Sequence, residues 1–140
     1  MLNLESWLKW LLQIFGGFCV LAIVPFVMPV RWMAAGHEWL GLGVMPEGAV
    51  VEYLARGMSA MCAFYGGLLI VLASNVRRFS VLIQFQAVTM IFLASCGAYL
   101  GMRAGMPAWW MLSDALSCWV CLGAMFYLSK RIDQHGAVGA

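Results

Sequence analysis

The stretch Ser80–Met102, SVLIQFQAVTMIFLASCGAYLGM, contains no acidic, basic or histidine side chain along its whole length. At about 1.5 Å of rise per residue, a helix of this length spans the roughly 30 Å hydrocarbon core of a bilayer. Three further segments are similar in length and nearly as apolar: Leu8–Val30, Tyr53–Ala73 and Trp109–Ser129. The sequence therefore predicts four transmembrane segments.

Each segment is expected to be a helix, because backbone amides in lipid must find their hydrogen-bond partners within the segment. The sequence lacks the alternating segments of about ten residues that are typical of a membrane β-barrel. It thus predicts an all-α membrane protein, a four-transmembrane-helix bundle that forms one integral membrane domain over residues 1–140. Pro25 and Pro29 predict a kink or an early stop near the far end of the first segment, since proline lacks a backbone donor.

The overall composition supports a membrane protein and argues against other classes. Hydrophobic residues make up 64% of the chain and charged residues 10%. A soluble domain is usually nearer half apolar and about a quarter charged. The net charge of +2 is small and its basic residues are scattered, so no nucleic-acid partner is expected.

The distribution of Lys and Arg predicts the orientation, because cytoplasmic flanks are rich in these residues. One predicted side carries Lys9, Arg77, Arg78, Lys130 and Arg131, and the other carries Arg31 and Arg103, with Arg56 just inside a segment. Both termini are therefore expected in the cytoplasm. The connection over residues 31–52 then lies outside, and its tryptophans predict a short amphipathic helix and a glycine-rich turn along the membrane interface.

Rows of small residues at four-residue spacing predict the faces on which helices approach closely. The second segment has Ser59, Ala63 and Gly67 in one such row. The third has Ala94 with Ala98, and Gly97 with Gly101. These rows are interpreted as packing faces.

Charged residues inside the segment boundaries define the candidate site. Arg56 and Asp114 each lie a few residues into helices that begin at the predicted outer face, so their depths match. Arg56 either pairs with Asp114 and joins two helices, or pairs with Glu52 one turn earlier. Intramembrane ionisable groups also mark functional sites, here for an anionic headgroup, a quinone carbonyl or a partner helix. The predicted outer polar cluster is Glu52, Arg56, Ser59, Arg103, Ser113 and Asp114.

Two cysteines share a helix face with the aspartate. At 100° per residue, Asp114, Cys118, Cys121 and Met125 fall within a narrow arc. Near mid-membrane, where thiolate formation is disfavoured, they are interpreted as buried packing thiols, with a redox pair as the alternative. No ligand set of familiar spacing indicates a metal site.

Three short motifs carry a family resemblance. Glu52-Tyr-Leu-Ala-Arg-Gly-Met-Ser-Ala60, Val76-Arg-Arg-Phe79 and Gly105-Met-Pro-Ala-Trp-Trp110 resemble small uncharacterised four-helix proteins of bacterial inner membranes, loosely the DoxX-like group. Some relatives are linked to thiosulfate or quinone redox chemistry, so the resemblance implies a quinone as the conceivable cofactor. It assigns no cofactor-binding residue in this chain.

These observations lead to two functional hypotheses. The first is a non-enzymatic multi-pass inner-membrane protein, a small accessory or self-assembling subunit whose outer polar cluster contacts helices or partners. Its partners are then the lipid bilayer and a second copy or another membrane protein, and it needs no cofactor. The alternative is a quinone-linked membrane thiol oxidoreductase that uses Cys118 and Cys121, with Asp114 or Arg56 polarising the quinone.

Overall fold

The computed structural model describes residues 3–137, with side chains described over residues 4–135. These residues form six helices and no strand, which confirms the all-α class for this part of the chain. The helices are α1 (Asn3–Val20), α2 (Ile23–Val27), α3 (Val30–Trp39), α4 (Ala49–Leu72), α5 (Ser80–Arg103) and α6 (Ala108–Ala137). Residues 1–2 and 138–140, whose cytoplasmic location the sequence predicts, lie outside the described residues.

Four helical stretches are long and apolar enough to cross a membrane, at the four places that the sequence predicts. They are Leu4–Val27, Ala49–Leu72, Ser80–Arg103 and Ala108–His135. Only 11–17% of the residues in the most apolar part of each stretch are buried within the protein. Large side chains such as Phe18, Phe64 and Phe85 are instead between 66% and 70% exposed. Most of the apolar surface of these helices is therefore directed away from the protein interior.

The first stretch is broken where its prolines predict a kink. α1 ends at Val20 and α2 begins at Ile23. Pro25 has no N–H to donate to the carbonyl of Leu21 four residues earlier, and its ring would clash with that carbonyl. The amide of Val24 binds the Leu21 carbonyl instead, at 3.0 Å. Proline thus places the break about one turn before itself.

The connection between the first two predicted segments contains the short helix and the glycine-rich turn that its sequence indicates. Pro29 precedes α3, and Met28 before it is extended with ψ 153°, as residues before proline prefer. Beyond α3, Gly41 and Gly43 have φ of 72° and 83°, a region that costs glycine little. The location of α3 along a membrane interface stays a prediction.

The fourth predicted segment is the one whose boundary differs most, because α6 continues past Ser129 to Ala137. The added turns are polar, and they are supported by contacts along the helix. Arg131 donates to the hydroxyl of Tyr127 at 3.0 Å, and its guanidinium carbon lies 5.3 Å from the centre of the Tyr127 ring. The helix therefore continues beyond the point where the apolar sequence ends.

The chain forms two compact units, the first made of Met1–Ile14 and Val71–Ala140 and the second of Phe15–Ile70. In the first unit α5 and α6 pack side by side in opposite directions. Contacts between them follow the antiparallel register: Ser80 with Ser129, Gln84 with Ser129, Ser95 with Trp119, and Gly101 with Met111. Ile83, Leu122 and Met125 are almost completely buried.

In the second unit the close approach occurs at Gly66, one residue before the glycine that the sequence predicts. A Cβ on Gly66 would lie 2.7 Å from the amide nitrogen of Val20 and 2.8 Å from the Cβ of Cys19. A Cβ on Gly16 would lie 2.8 Å from the carbonyl oxygen of Gly66. A Cβ on Gly67 would meet no atom of the described residues within 4 Å, so the prediction of a close approach at this position is wrong.

The two predicted glycine positions in α5 have different outcomes. A Cβ on Gly101 would collide with the side chain of Met111, which confirms a close approach there. A Cβ on Gly97, one turn earlier, would meet no atom within 4 Å in the part of the chain that the structure describes, so the prediction of a close approach is wrong there. Spacing of small residues alone did not identify which of them lie on the packed face.

Candidate functional site

The residues of the predicted outer polar cluster are divided between the two units. Glu52, Arg56 and Ser59 lie on α4 in the second unit. In the first unit Arg103 is the last residue of α5, and Ser113 and Asp114 lie in the first turns of α6.

Arg56 is the centre of the group on α4. Its Nε donates to Oε1 of Glu52 at 2.9 Å, and its Nη1 donates to the backbone carbonyl of Phe26. The two side chains are partly buried, with 28% of Arg56 and 41% of Glu52 exposed. Of the two partners that the sequence offers to Arg56, the structure contains the pair with Glu52. A pairing with Asp114 stays a prediction.

The carbonyl of Phe26 lies in the last turn of α2, where the end of the helix leaves it available as an acceptor. α2 ends at Val27, so no amide four residues further along the same helix binds this carbonyl. A guanidinium at a helix C-terminus supplies a donor and also interacts favourably with the negative end of the helix dipole. Sequence reasoning missed this contact, although Pro25 and Pro29 together indicated that carbonyls near them would lack helical partners.

The two serines of the predicted cluster form hydrogen bonds within their own helices. Ser59 donates to the carbonyl of Ala55 at 2.8 Å, and Ser113 donates to that of Trp110 at 2.9 Å. Such bonds satisfy a hydroxyl in an apolar setting without a second helix. The serines are therefore not needed to hold a polar network together.

Arg103 ends α5, where a basic residue suits the helix dipole. Its Nη1 lies 3.4 Å from the hydroxyl of Tyr99, a long contact between exposed groups. Within the described part of the first unit, this arginine forms no ion pair.

Asp114 is exposed on an otherwise apolar part of α6. It follows Ala108, the first residue of α6, by about 9 Å of helix rise. Its backbone carbonyl accepts a bond from Ser117, but in the described residues of the first unit its carboxylate has neither an ion pair nor a hydrogen bond. Among the described residues of its own unit, no group therefore neutralises this carboxylate.

Cys118 and Cys121 are half-buried thiols on α6. They continue the face that begins at Asp114, and Met125 one turn further is completely buried. The arc thus leads from an exposed carboxylate at the start of α6 to the packed interior of the α5–α6 pair.

No cluster that could hold a metal ion is found among the described residues, where three His, Cys, Asp or Glu side chains never come together. His37, the histidine of the outer connection, instead donates from Nδ1 to the carbonyl of Gly43 at 2.8 Å. This bond closes the glycine-rich turn.

A polar network that sequence reasoning missed joins α5 to the far end of α6. Nε2 of Gln84 donates to Asp133 at 2.7 Å and to the hydroxyl of Ser129 at 3.3 Å. Ser129, which is completely buried, donates in turn to the carbonyl of Ser80 at 3.1 Å. The glutamine was a usable signal, because an amide in an apolar helix favours a polar partner on a neighbouring helix.

A second missed contact lies near the start of α1. Arg77, in the connection between α4 and α5, forms an ion pair with Glu5. A depression of about 260 Å³ opens beside it and is lined by Glu5, Ser6, Lys9, Ala73, Ser74, Asn75, Val76 and Arg77. Most of its lining side chains are polar or charged.

Comparison of the chain with protein-family models, curated proteins and solved structures gives no match. The DoxX-like resemblance stays a prediction from the three motifs that carry it.

Proposed function

We propose that the protein is a multi-pass protein of a bacterial inner membrane, a small accessory or self-assembling subunit whose Asp114 binds a partner helix. The observation that carries the proposal is the exposed carboxylate on α6, which forms no ion pair with the described residues of its own unit. The partner is a second copy of this chain or another membrane protein, with a cationic or hydrogen-bonding group at the depth of Asp114.

The membrane location is supported by the surface of the four long helices. Trp10, Phe18, Phe64 and Phe92 are each at least 61% exposed. Exposure of so many large apolar side chains to water would be unfavourable, whereas lipid or a partner helix would cover them.

A cytoplasmic location for both ends is supported by contacts in the first unit. The start of α1 meets the α4–α5 connection through the Glu5–Arg77 ion pair. A cavity of about 80 Å³ is lined by Leu4, Glu5, Arg77, Ile132 and His135, so the last turns of α6 lie at the same end. The basic residues assigned to the cytoplasm thus cluster at one end of this unit.

A partner for Asp114 follows from the cost of a lone charge in an apolar environment. A carboxylate at the centre of a membrane helix costs about 2.5–3.5 kcal/mol on insertion scales, and less near a helix end. Ser117 and Cys118, which lie one turn beyond Asp114, are small and allow another helix to approach α6 closely. A cation or donor on that helix would remove the cost.

The test compares assembly of Asp114→Asn with assembly of the unaltered protein, using native mass spectrometry of protein extracted gently from its membrane. We expect a complex of the unaltered chain, and a loss of at least about tenfold in its association constant in the variant, because a charge-assisted bond is removed. Glu47→Gln is the control, since it removes one exposed carboxylate from the loop before α4. A purely monomeric protein, or an equal loss in both variants, would refute the proposal.

The quinone-linked thiol oxidoreductase is the second candidate, supported by the half-buried thiols of Cys118 and Cys121 on one face of α6. In that reaction the two thiols would form a disulfide and release two electrons and two protons, which reduce one quinone to a quinol. The test is reduction of a water-soluble quinone by the dithiol form. Cys118→Ser with Cys121→Ser should abolish it, and Cys62→Ser, at an exposed cysteine on α4, should not. A rate unaffected by the double change would exclude this candidate.

A further inference from the structure

The basic end of the first unit carries a polar depression of about 260 Å³ whose lining residues come from the start of α1 and from the α4–α5 connection. Its charged members are Glu5, Lys9 and Arg77. Because Glu5 is neutralised by Arg77, the ammonium of Lys9 leaves the depression with one net positive charge.

Lys9 is placed to bind a ligand from outside the unit. It is exposed, and in the described part of the first unit it forms no ion pair. Glu5, the acidic residue one turn before it on α1, is already engaged by Arg77. Asn75 accepts a bond from the amide of Arg78 through Oδ1, which leaves its side-chain NH2 as a further donor at the rim.

An apolar groove shares one lining residue, Ser6, with the polar depression. It has a volume of about 480 Å³ and is lined by Ser6, Trp7, Trp10 and Ile14. The two tryptophans are 67% and 61% exposed, and Ile14 is 55% exposed. Ser6 borders both the depression and the groove, so a single elongated ligand can occupy the two together.

We propose that this surface binds one anionic phospholipid. The phosphate binds Lys9 and the amide of Asn75, and one acyl chain lies along Trp7, Trp10 and Ile14. The proposal rests on the membrane location in the proposed function, but it does not depend on Asp114 or on assembly.

The net positive charge of the depression favours an anionic lipid over a zwitterionic one. One excess positive charge in the depression matches the single negative charge of a phosphodiester headgroup. A choline group would bring a third cation next to Lys9 and Arg77. Tryptophans favour the headgroup level of a bilayer, where their rings contact the upper part of the acyl chains. Basic residues on the cytoplasmic side attract anionic lipid for the same electrostatic reason.

The experiment is a lipid titration of the full-length protein in detergent micelles, followed by native mass spectrometry. The two lipids are phosphatidylglycerol and phosphatidylcholine with identical acyl chains. We expect the first phosphatidylglycerol to bind at least about fivefold more tightly than phosphatidylcholine, the factor expected for one basic residue at an anionic surface. Lys9→Gln should abolish this preference, and Trp10→Ala should weaken binding of both lipids to a similar degree.

Lys130→Gln is the matched control, because it removes one positive charge from the same end of the first unit. Lys130 lies on α6, and its ammonium is 6.0 Å from the centre of the Phe126 ring. It should keep the preference. Equal binding of the two lipids by the unaltered protein, or equal loss of preference in Lys9→Gln and Lys130→Gln, would overturn the proposal. Asp114→Asn should retain the preference, so a failure of the assembly proposal is distinguished from a failure of this one.

Discussion

Arg56 donates to Glu52 across 2.9 Å, one turn along α4, and the same guanidinium binds the carbonyl of Phe26 at the end of α2. A residue that the sequence selects as a candidate ligand-binding group thus also holds a helix end. The bond to Glu52 lies within α4, whereas the bond to Phe26 joins α4 to α2. Their separate removal should have different consequences for stability.

Arg56→Gln should lower the free energy of unfolding by about 1–3 kcal/mol, because it leaves the carbonyl of Phe26 and the carboxylate of Glu52 without their donor. Glu52→Gln should cost less than about 1 kcal/mol, as is usual for a partly exposed i,i+4 pair. The measurement is unfolding in mixed micelles followed by circular dichroism. Arg31→Gln, an exposed arginine on α3, is the control and should change stability little. Equal effects of Arg56→Gln and Glu52→Gln would mean that the Phe26 contact contributes nothing.

Gly66→Ala should destabilise the second unit by several kcal/mol, since its Cβ would lie 2.7 Å from the amide nitrogen of Val20 and 2.8 Å from the Cβ of Cys19. Gly67→Ala provides a matched control in the next position of α4, where a Cβ meets nothing within 4 Å. There alanine should be neutral or stabilising by up to about 1 kcal/mol, because it favours the helix over glycine. The measurement is the melting temperature of both variants in the same detergent. Similar melting temperatures for the two would contradict the close packing at Gly66.

The four long helices could be predicted from the sequence because their length and apolar composition are properties of each segment alone. The break before Pro25 could be predicted for the same reason, since it depends on a missing N–H and a local clash. The identity of the packed glycine could not. Gly66 and Gly67 are adjacent and chemically identical, and only the rotation of α4 about its axis decides which one approaches α1.

In the candidate site, too, contacts within one helix could be predicted from the sequence, whereas contacts between helices could not. The Glu52–Arg56 pair follows from spacing along one helix. The contact of Arg56 with Phe26 could not be read directly, because a backbone carbonyl has no residue identity in the sequence. The bond from Gln84 to Asp133 was missed because Asp133 lies beyond the predicted end of the fourth segment, on turns that helix α6 adds.

Ser129→Ala should destabilise the first unit by about 0.6 kcal/mol and by no more than about 1.7 kcal/mol, the average and the largest value for hydrogen bonds between membrane helices. The hydroxyl is completely buried, and it connects Gln84 to the carbonyl of Ser80. Ser117→Ala is the control, because that exposed hydroxyl only donates to a carbonyl of its own helix. Denaturant unfolding in micelles should separate the two variants. A loss in Ser117→Ala as large as that in Ser129→Ala would show that the bond between α5 and α6 adds no stability.

The orientation can be tested with reporters that function on only one side of the membrane. Alkaline phosphatase, which folds outside the cytoplasm, should be active when joined after Glu47, in the predicted outer connection, and inactive when joined after Ala140. A green fluorescent protein, which matures in the cytoplasm and does not fluoresce when it is exported unfolded, should give the reverse pattern. The physical reason is the positive charge of Lys9, Arg77, Arg78, Lys130 and Arg131, which resists transfer across the membrane. Active phosphatase at both positions would contradict the three crossings predicted between Glu47 and Ala140. A reversed pattern would place the Lys9 and Arg77 depression outside, away from the anionic surface of the cytoplasmic leaflet.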